Sequence, residues 1–338
     1  MSERSSRIES VDYLRGIAAL SVLWFHLTNG DPSFLPDSTL KATGTYAYAG
    51  VAAFFVISGF IIPFTLDSPT YSIPRDGVRF FARRLVRLEP PYLASVLLTA
   101  VIFYPDPLLS WVRGEPPGEL LATLALHPLY LVPWFGGEWV NPVYWTLAIE
   151  FQYYVAMIFC APVLFTRAWP IQRLFLLGCL ILSVEITDER IFTCYLSLFG
   201  LGFLHFLRLR RGMNTAELIL WSAAFACSTY DAIGTANAVV GLAALAALSV
   251  PWPRTKVLSF LGAISYSLYL IHEPVSSRVM DISSHFPKEQ WIVFLFLAVA
   301  VLLSVLIADF FWWAIERPSI ALSKRIANRE RASPSQAW

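Results

Sequence analysis

The segment VDYLRGIAALSVLWFHLT, residues 11–28, is long and apolar enough for a membrane-spanning helix, yet it contains an arginine and a histidine. Both side chains are costly in hydrocarbon, so each needs a structural or functional reason to lie there. Arg15 and His26 are eleven residues apart, which in a helix is about 20° beyond three full turns and about 16 Å of rise. We therefore expect both on one helix face, either as interfacial residues at its two ends or as parts of one polar stripe.

The composition of the chain is that of a membrane protein. Of its 338 residues, 57% are hydrophobic and 14% are charged, whereas a soluble domain has about a quarter charged residues. The net charge of +1 favours no class of partner, and we expect no nucleic-acid binding. The four cysteines lie singly in apolar segments without metal-ligand spacing, so we expect neither disulfides nor a bound metal.

The distribution of basic residues between apolar segments predicts the topology. Residues 67–88 contain five arginines, so the positive-inside rule places this loop in the cytoplasm. The remaining charged loops alternate between the two sides if segment 119–133 does not cross the membrane. Eleven apolar segments occur, at 11–28, 44–66, 89–105, 119–133, 143–165, 171–186, 190–207, 216–231, 236–250, 257–275 and 291–315.

Segment 119–133 is short and contains His127 and Pro128, which suits a re-entrant or interfacial helix. The sequence therefore predicts an all-α integral membrane protein, a bundle of about ten transmembrane helices plus this short helix, with both termini cytoplasmic. Residues 1–322 are expected to form one transmembrane domain, and residues 323–338 a polar cytoplasmic tail. His127, His205 and His285 are interpreted as interfacial residues without a role in a site.

Further polar groups interrupt the apolar segments. Arg83 and Arg87 are one helical turn apart with Arg84 beside them, which fits either a basic collar on anionic lipid or a phosphate site. Glu150, in the run WTLAIE, must pair, be protonated or face a water-filled cavity.

A third polar group is predicted from helical spacing late in the chain. Ser265, Tyr269 and His272 are spaced to share one helix face. Together with the first segment and Glu150, these side chains predict a polar core inside an apolar bundle, which serves either a transport path or an active site.

Five of these sequence blocks, in this order, resemble the membrane-bound acyltransferase-3 family. The resemblance extends from about residue 8 to about residue 319 and is to the stand-alone type, without an appended esterase-like domain. The blocks are Asp12-Tyr-Leu-Arg-Gly16 with His26, Phe54-Phe-Val-Ile-Ser-Gly-Phe60, Arg83-Arg-x-x-Arg87-x-x-Pro90, Trp145-Thr-Leu-x-x-Glu150, and Gly262-x-x-Ser-Tyr-x-x-Tyr-x-x-His272.

The resemblance implies an enzyme of the bacterial inner membrane that moves an acyl group, usually acetyl, from cytosolic acyl-coenzyme A to a carbohydrate hydroxyl. The acceptor would be an exopolysaccharide, a lipid-linked saccharide or a glycan, and the other partner is membrane lipid. The implied catalytic residues are His26, Arg15 and Glu150. The implied coenzyme A contacts are Arg83, Arg84 and Arg87, and the implied acceptor contacts are Trp145, Ser265, Tyr269 and His272.

Two mechanisms fit the sequence equally well. His26 acts either as general base on the acceptor hydroxyl, with Glu150 orienting the imidazole, or as a nucleophile that is transiently acylated. The alternative function is a transporter or flippase of a saccharide or lipid, in which the buried charges line a path.

Overall fold

The structure is a computed structural model that describes residues 2–32, 34–105, 118–165, 169–287 and 289–329. Within these ranges the chain forms α-helices joined by short loops and helical turns, and no strand occurs. The helices are α1 (Ser2–Asn29), α2 (Thr39–Gly44), α3 (Gly50–Leu66), α4 (Val78–Phe103), α5 (Gly118–Leu126), α6 (Trp145–Leu164), α7 (Trp169–Glu185), α8 (Leu196–Arg210), α9 (Thr215–Ile233), α10 (Thr235–Ser249), α11 (Lys256–Ser284), α12 (Gln290–Phe311) and α13 (Arg317–Arg329).

The architecture is that of an all-α membrane protein. Each of the ten segments predicted to cross the membrane overlaps a helix, in the predicted order. Five helical stretches are both long enough and apolar enough to cross a bilayer, so the number ten stays a prediction. These stretches are Thr39–Leu66, Ile73–Phe103, Pro142–Leu164, Phe192–Arg210 and Gln290–Ile326.

The segment predicted to be re-entrant or interfacial contains only a short helix. α5 has nine residues and is about 14 Å long, against the roughly 30 Å of a hydrocarbon core. A 3-10 turn at His127–Leu129 follows it, and Tyr130 then has a left-handed backbone with φ of 56°. The Tyr130 phenol donates to Glu89 Oε1 at 2.8 Å, and its ring stacks on Tyr92. Side-chain contacts with α4 thus hold an irregular segment that is too short to span.

Two histidines interpreted as interfacial are buried instead. His127 is fully buried, and its Nδ1 lies 2.8 Å from the Tyr92 hydroxyl. His205 is 4% exposed and packs edge-on against Phe60. The sequence interpretation was wrong for both because inter-helix aromatic contacts, which one sequence does not show, enclose them. His285 lies in an exposed position, as expected for an interfacial residue.

The first of two close helix contacts in the bundle is that between α1 and α11. α1 packs along α11, and a Cβ at Gly16 would lie 2.9 Å from the backbone of Leu261 and Gly262. A Cβ at Gly262 would lie 2.5 Å from the Asp12 carbonyl oxygen. Backbones this close leave no room for a side chain, so the polar residues of α1 face those of α11 directly.

The last helix leaves the bundle axis after a π-helical segment at Trp312–Glu316 and packs against α4. The boundary predicted between residues 322 and 323 falls inside this helix, α13, which continues to Arg329. The first seven residues of the predicted tail, 323–329, are therefore helical, and residues 330–338 lie outside the described residues.

The second close helix contact, between α3 and α8, provides a test of the fold. Cβ atoms at Gly59 of α3 and Gly202 of α8 would overlap the carbonyl oxygens of Phe199 and Val56. We expect Gly59→Ala and Gly202→Ala each to destabilise the protein by about 1–3 kcal/mol, because the backbones must separate. Thermal unfolding in detergent measures the effect. Gly178→Ala is the control, since a Cβ there meets no atom within 4 Å; equal melting temperatures for all three variants would contradict the close packing.

Candidate active site

Three adjoining cavities lie among α1, α3, α4, α6 and α11. The first, the basic mouth, has a volume of about 540 Å³ and is lined by residues that include Arg79, Arg83, Arg84, Arg87 and Lys324. The second, the central cavity, has a volume of about 220 Å³ and is lined by residues that include Asp12, Arg15, Ser58, Glu150 and Tyr154. The third, the histidine cavity, has a volume of about 330 Å³ and is lined by residues that include His26, Tyr48, Trp145, Glu189 and Asn237.

The cavities meet through shared walls. Ile61, Arg84 and Arg87 line both the basic mouth and the central cavity. Val51, Phe55 and Tyr269 line both the central cavity and the histidine cavity. The three cavities therefore adjoin in a row, with a cluster of cations at one end and the His26 imidazole at the other.

The basic mouth is built by consecutive turns of α4. Arg83 and Arg87 are one turn apart, as their spacing predicts, and Arg84 projects beside them. The Arg84 guanidinium lies 4.9 Å from the Tyr154 ring centroid, and its Nη1 donates to the Tyr154 hydroxyl at 3.4 Å. This contact with α6 fixes Arg84 at the junction of the two cavities.

Buried guanidinium nitrogens in this mouth lack partners. In the part of the chain that the structure describes, Nε of Arg83 and Nε of Arg87 are buried without a hydrogen bond. A buried, unsatisfied cationic donor is unfavourable, and an anion with several oxygens satisfies such donors best. The residues present thus fit the phosphate groups of a nucleotide-like ligand.

The central cavity contains both signs of charge. Arg15 of α1 and Arg87 of α4 both interact electrostatically with Asp12 and with Glu316. The buried Glu316 carboxylate also accepts hydrogen bonds from the backbone N–H of Ser267, at 3.2 Å, and from its hydroxyl, at 2.6 Å. Two carboxylates therefore balance the two arginines where the cavity is narrow.

Glu150 lies in the central cavity and not beside His26. Its carboxylate accepts a short hydrogen bond from the Ser58 hydroxyl of α3. The structure therefore does not show Glu150 orienting His26. Glu150 is hydrogen-bonded to Ser58, whereas the described partners of His26 are Val22 and His272. The reason is the position of α6. Its Thr146 side chain contacts Tyr269, and Glu150 lies one helical turn beyond Thr146.

A second histidine contacts His26. Nε2 of His272 on α11 lies 3.3 Å from Nδ1 of His26, and the ring centroids are 5.0 Å apart in an edge-to-face arrangement. Nδ1 of His26 lies 2.8 Å from the Val22 carbonyl oxygen, and Nδ1 of His272 lies 3.0 Å from the Leu268 carbonyl oxygen. Carbonyl oxygens only accept, so both Nδ1 atoms are protonated and Nε2 of His272 is an acceptor.

This assignment determines the chemistry of His26. Its Nδ1–H donates to the Val22 carbonyl oxygen and is shared with His272 Nε2. The other nitrogen, Nε2, is then unprotonated in the neutral ring. Because His26 lines the histidine cavity, this basic nitrogen is available to a group bound there.

The other residues predicted to bind acceptor differ in their placement. Trp145 lines the histidine cavity, and Tyr269 lies at its junction with the central cavity. The Tyr269 hydroxyl is 2.8 Å from Thr146 Oγ1. His272 is fully buried behind His26, and the Ser265 hydroxyl is buried and donates to the Gly262 carbonyl oxygen at 2.8 Å. Neither His272 nor Ser265 lines the histidine cavity or the central cavity, because both side chains are engaged inside the bundle.

Several site residues were missed by sequence reasoning. These residues, none of which was singled out as a candidate, are Ser58, Thr146, Tyr154 and Glu316. Thr146, Glu150 and Tyr154 follow one another at intervals of four residues on α6, and this polar spacing is a signal that identifies the cavity face. No comparable signal exists for Ser58, because its neighbours along the chain are apolar.

The rim of the histidine cavity is formed by the loop before α8. Arg190 forms an ion pair with Asp188 at 2.7 Å, and this hydrogen-bonded partner lowers the pKa of the Asp188 carboxyl to about 2. Glu189, between them, lines the cavity. The aromatic side chains of Phe25, Tyr48, Phe55, Trp145 and Tyr195 form part of the remaining wall.

Comparison with known proteins gives this arrangement a family. The family model described as an acyltransferase domain, that of acyltransferase-3, matches residues 8–309. The chain belongs to the acyltransferase-3 family. The five blocks from which the resemblance was inferred, from Asp12 to His272, all lie within the matched residues.

Curated relatives of this acyltransferase-3 protein are named for transfer of acyl groups. "O-acetyltransferase OatA" of Staphylococcus aureus is 25% identical over 358 residues, which covers 92% of this chain and 57% of the relative. "Putative membrane-bound transacylase BcsY" of Komagataeibacter xylinus is 26% identical, covering 89% of this chain and 82% of the relative. "Putative peptidoglycan O-acetyltransferase YrhL" of Bacillus subtilis is 32% identical over 44% of this chain and 23% of the relative. The chain thus spans about 57% of the length of OatA. No solved structure matches it.

The like charges of the basic mouth give a prediction about stability. Arg79 and Arg84 repel Arg83, whose guanidinium is partly buried. We expect Arg83→Met to raise the melting temperature by a few degrees in ligand-free protein at low salt, because the variant keeps the apolar stem and removes the repulsion.

Thermal unfolding in detergent at low salt and at about 1 M salt measures this, since salt screens the repulsion and reduces the difference. Arg325→Met, on the exposed side of α13, is the control and should change little. A lower melting temperature for Arg83→Met at low salt would show that the arginine stabilises the empty site.

Proposed function

We propose that this protein is an O-acyltransferase, most simply an O-acetyltransferase, that moves an acyl group from acyl-coenzyme A to a hydroxyl of a carbohydrate acceptor. The observation that supports the proposal is the row of adjoining cavities that begins at the basic mouth and ends at the histidine cavity, which is lined by His26. A cationic entrance fits a polyphosphorylated donor, and a basic nitrogen at the other end fits activation of a hydroxyl.

On the donor side, Arg83, Arg84 and Arg87 hold the phosphate groups of coenzyme A. The unpartnered, buried Nε atoms of Arg83 and Arg87 support this role. The central cavity, at about 220 Å³, admits the narrow pantetheine arm but not the nucleotide. Arg15 and Ser58, which line this cavity, supply polar contacts along the arm.

At the other end, His26 acts as general base. As the acceptor oxygen bonds to the acyl carbon, its proton passes to Nε2 of His26. The bond between the acyl carbon and the donor sulfur breaks, and the imidazolium returns the proton to the sulfur. Acceptor ester and coenzyme A are the products. His272 is a positioning residue, because its Nε2 and the Val22 carbonyl oxygen hold the Nδ1–H of His26 and so keep Nε2 basic.

The histidine cavity is suited to a sugar. Flat aromatic side chains offer surfaces for the C–H faces of a pyranose, while Glu189 and Asn237 offer groups that accept from hydroxyls. OatA and YrhL are both named as O-acetyltransferases, and the name of YrhL also specifies peptidoglycan. Both names support a hydroxylated glycan as acceptor.

The proposed orientation follows from the chemistry of the substrates. Coenzyme A is cytosolic and too polar to cross a bilayer, so the basic mouth faces the cytoplasm and the histidine cavity faces outward. The protein then lies in a bacterial-type inner membrane with both termini in the cytoplasm. The arginine-rich loop that forms the start of α4 satisfies the positive-inside rule in this orientation.

The first test is transfer of label from radiolabelled acetyl-coenzyme A by purified protein in nanodiscs, with and without candidate glycans. We expect His26→Ala to lower transfer at least about 100-fold, because the general base is lost. His272→Phe should lower it less and shift the pH dependence, because the phenyl ring keeps the shape but has no nitrogen to accept from the Nδ1–H of His26.

His285→Ala is the matched control, since His285 is an exposed histidine that directly follows the last residue of α11. Full activity in His26→Ala would overturn the proposed role of the histidine. Label that remains covalently on the protein after rapid quenching would instead favour transient acylation of His26 over general-base catalysis.

The second test separates the enzyme from the alternative of a saccharide or lipid transporter. Coenzyme A should raise the melting temperature of the acyltransferase, because a ligand that binds the folded state stabilises it, by about 2.7 kcal/mol at 100 times its Kd. Arg87→Ala should abolish most of this shift. Arg325→Ala, on α13 but outside the lining of the basic mouth, should keep it. Absence of any shift in the wild-type protein would favour the transporter.

A further inference from the structure

The C-terminal helix forms one wall of the basic mouth. Ile320, Ser323 and Lys324 line this cavity, and their spacing of three and four residues places them on one face of α13. α13 packs against α4, with Ser323 only 5% exposed at the contact. The segment predicted as a separate tail thus supplies a cation to the cavity that the arginines of α4 form.

The lining of this cavity has an excess of positive charge, which favours a polyanionic ligand. Its lining contains four arginines and Lys324 against one carboxylate, that of Asp76. Asp76 is itself paired with Arg75 at 2.8 Å, so it does little to neutralise the lining. Cations held this close together repel one another, and a ligand with several phosphate groups relieves the repulsion.

The cations form two sets. Arg84 and Arg87 line both the basic mouth and the central cavity, whereas Arg79, Arg83 and Lys324 line the mouth alone. In coenzyme A the diphosphate joins pantetheine directly, and the 3′-phosphate lies farther away, on the ribose. With the pantetheine arm in the central cavity, the diphosphate falls at the junction, beside Arg84 and Arg87. The 3′-phosphate then lies in the wider part of the mouth.

We propose that Lys324 binds the 3′-phosphate of the coenzyme A donor, so that α13 is part of the donor site. This inference rests on the proposed function, since it takes coenzyme A as the ligand of the basic mouth. Lys324 lines the cavity together with Ile320 and Ser323, and its ammonium group, at the end of a long flexible stem, would contact the phosphate as a point charge.

The experiment compares coenzyme A with 3′-dephospho-coenzyme A, which differ only in the phosphate assigned to Lys324. Dissociation constants are measured by titration calorimetry on the full-length protein in nanodiscs, for the wild type, Lys324→Ala, Lys324→Arg and Arg325→Ala. We expect Lys324→Ala to weaken binding of coenzyme A about five- to tenfold, the loss of one charge-assisted contact, and to leave dephospho-coenzyme A binding unchanged. Lys324→Arg should bind both ligands as the wild type does.

Arg325→Ala removes the same charge from the neighbouring position, outside the cavity lining, and should bind both ligands like the wild type. A loss for Lys324→Ala that is equal for the two ligands, or equal to that of Arg325→Ala, would overturn the inference and leave the proposed function in place. So would an unchanged affinity. A wild-type protein that binds neither ligand would overturn both the inference and the donor on which it rests.

Discussion

The contact between α1 and α11 through Gly16 and Gly262 is the constraint on which the site depends. It brings two helix faces together, so that Asp12 and His26 on α1 meet Gly262 and His272 on α11. With larger residues at the two glycines the helices would separate, and the 3.3 Å contact between the imidazoles would be lost. The Val22 carbonyl oxygen of the same helix already holds the Nδ1–H of His26, so helix packing adds the second acceptor, His272, and with it the orientation of the ring.

Burial of charge explains the rest of the layout. Each cation in the bundle is costly unless it is paired or faces water or a ligand. Arg15 and Arg87 both interact with the carboxylates of Asp12 and Glu316. Among the described residues Arg83 has no such carboxylate, and the nearby charges that act on it are those of Arg79 and Arg84. Positive charge is therefore least compensated in the basic mouth, the cavity that Arg79, Arg83 and Arg84 line.

Helical periodicity predicts which side chains share one face of a helix, and it was sufficient to predict much of the fold. It placed Arg83 and Arg87 on one face of α4 and gave the order of the helices, because burial in lipid demands long apolar segments whatever their partners. It does not predict contacts between helices. The pairs His26 with His272, and Ser58 with Glu150, depend on how α1, α3, α6 and α11 are arranged, and neither pair follows from spacing along the chain.

The surroundings of His26 also explain why its partner is a second histidine and not a carboxylate. A carboxylate beside His26 would stabilise the imidazolium and raise its proton affinity, but it would add a negative charge to a cavity that Glu189 already lines. A neutral imidazole accepts the shared proton of His26 without that charge. Glu150 is bonded to Ser58 in the central cavity, so its charge does not act as the direct partner of His26 either.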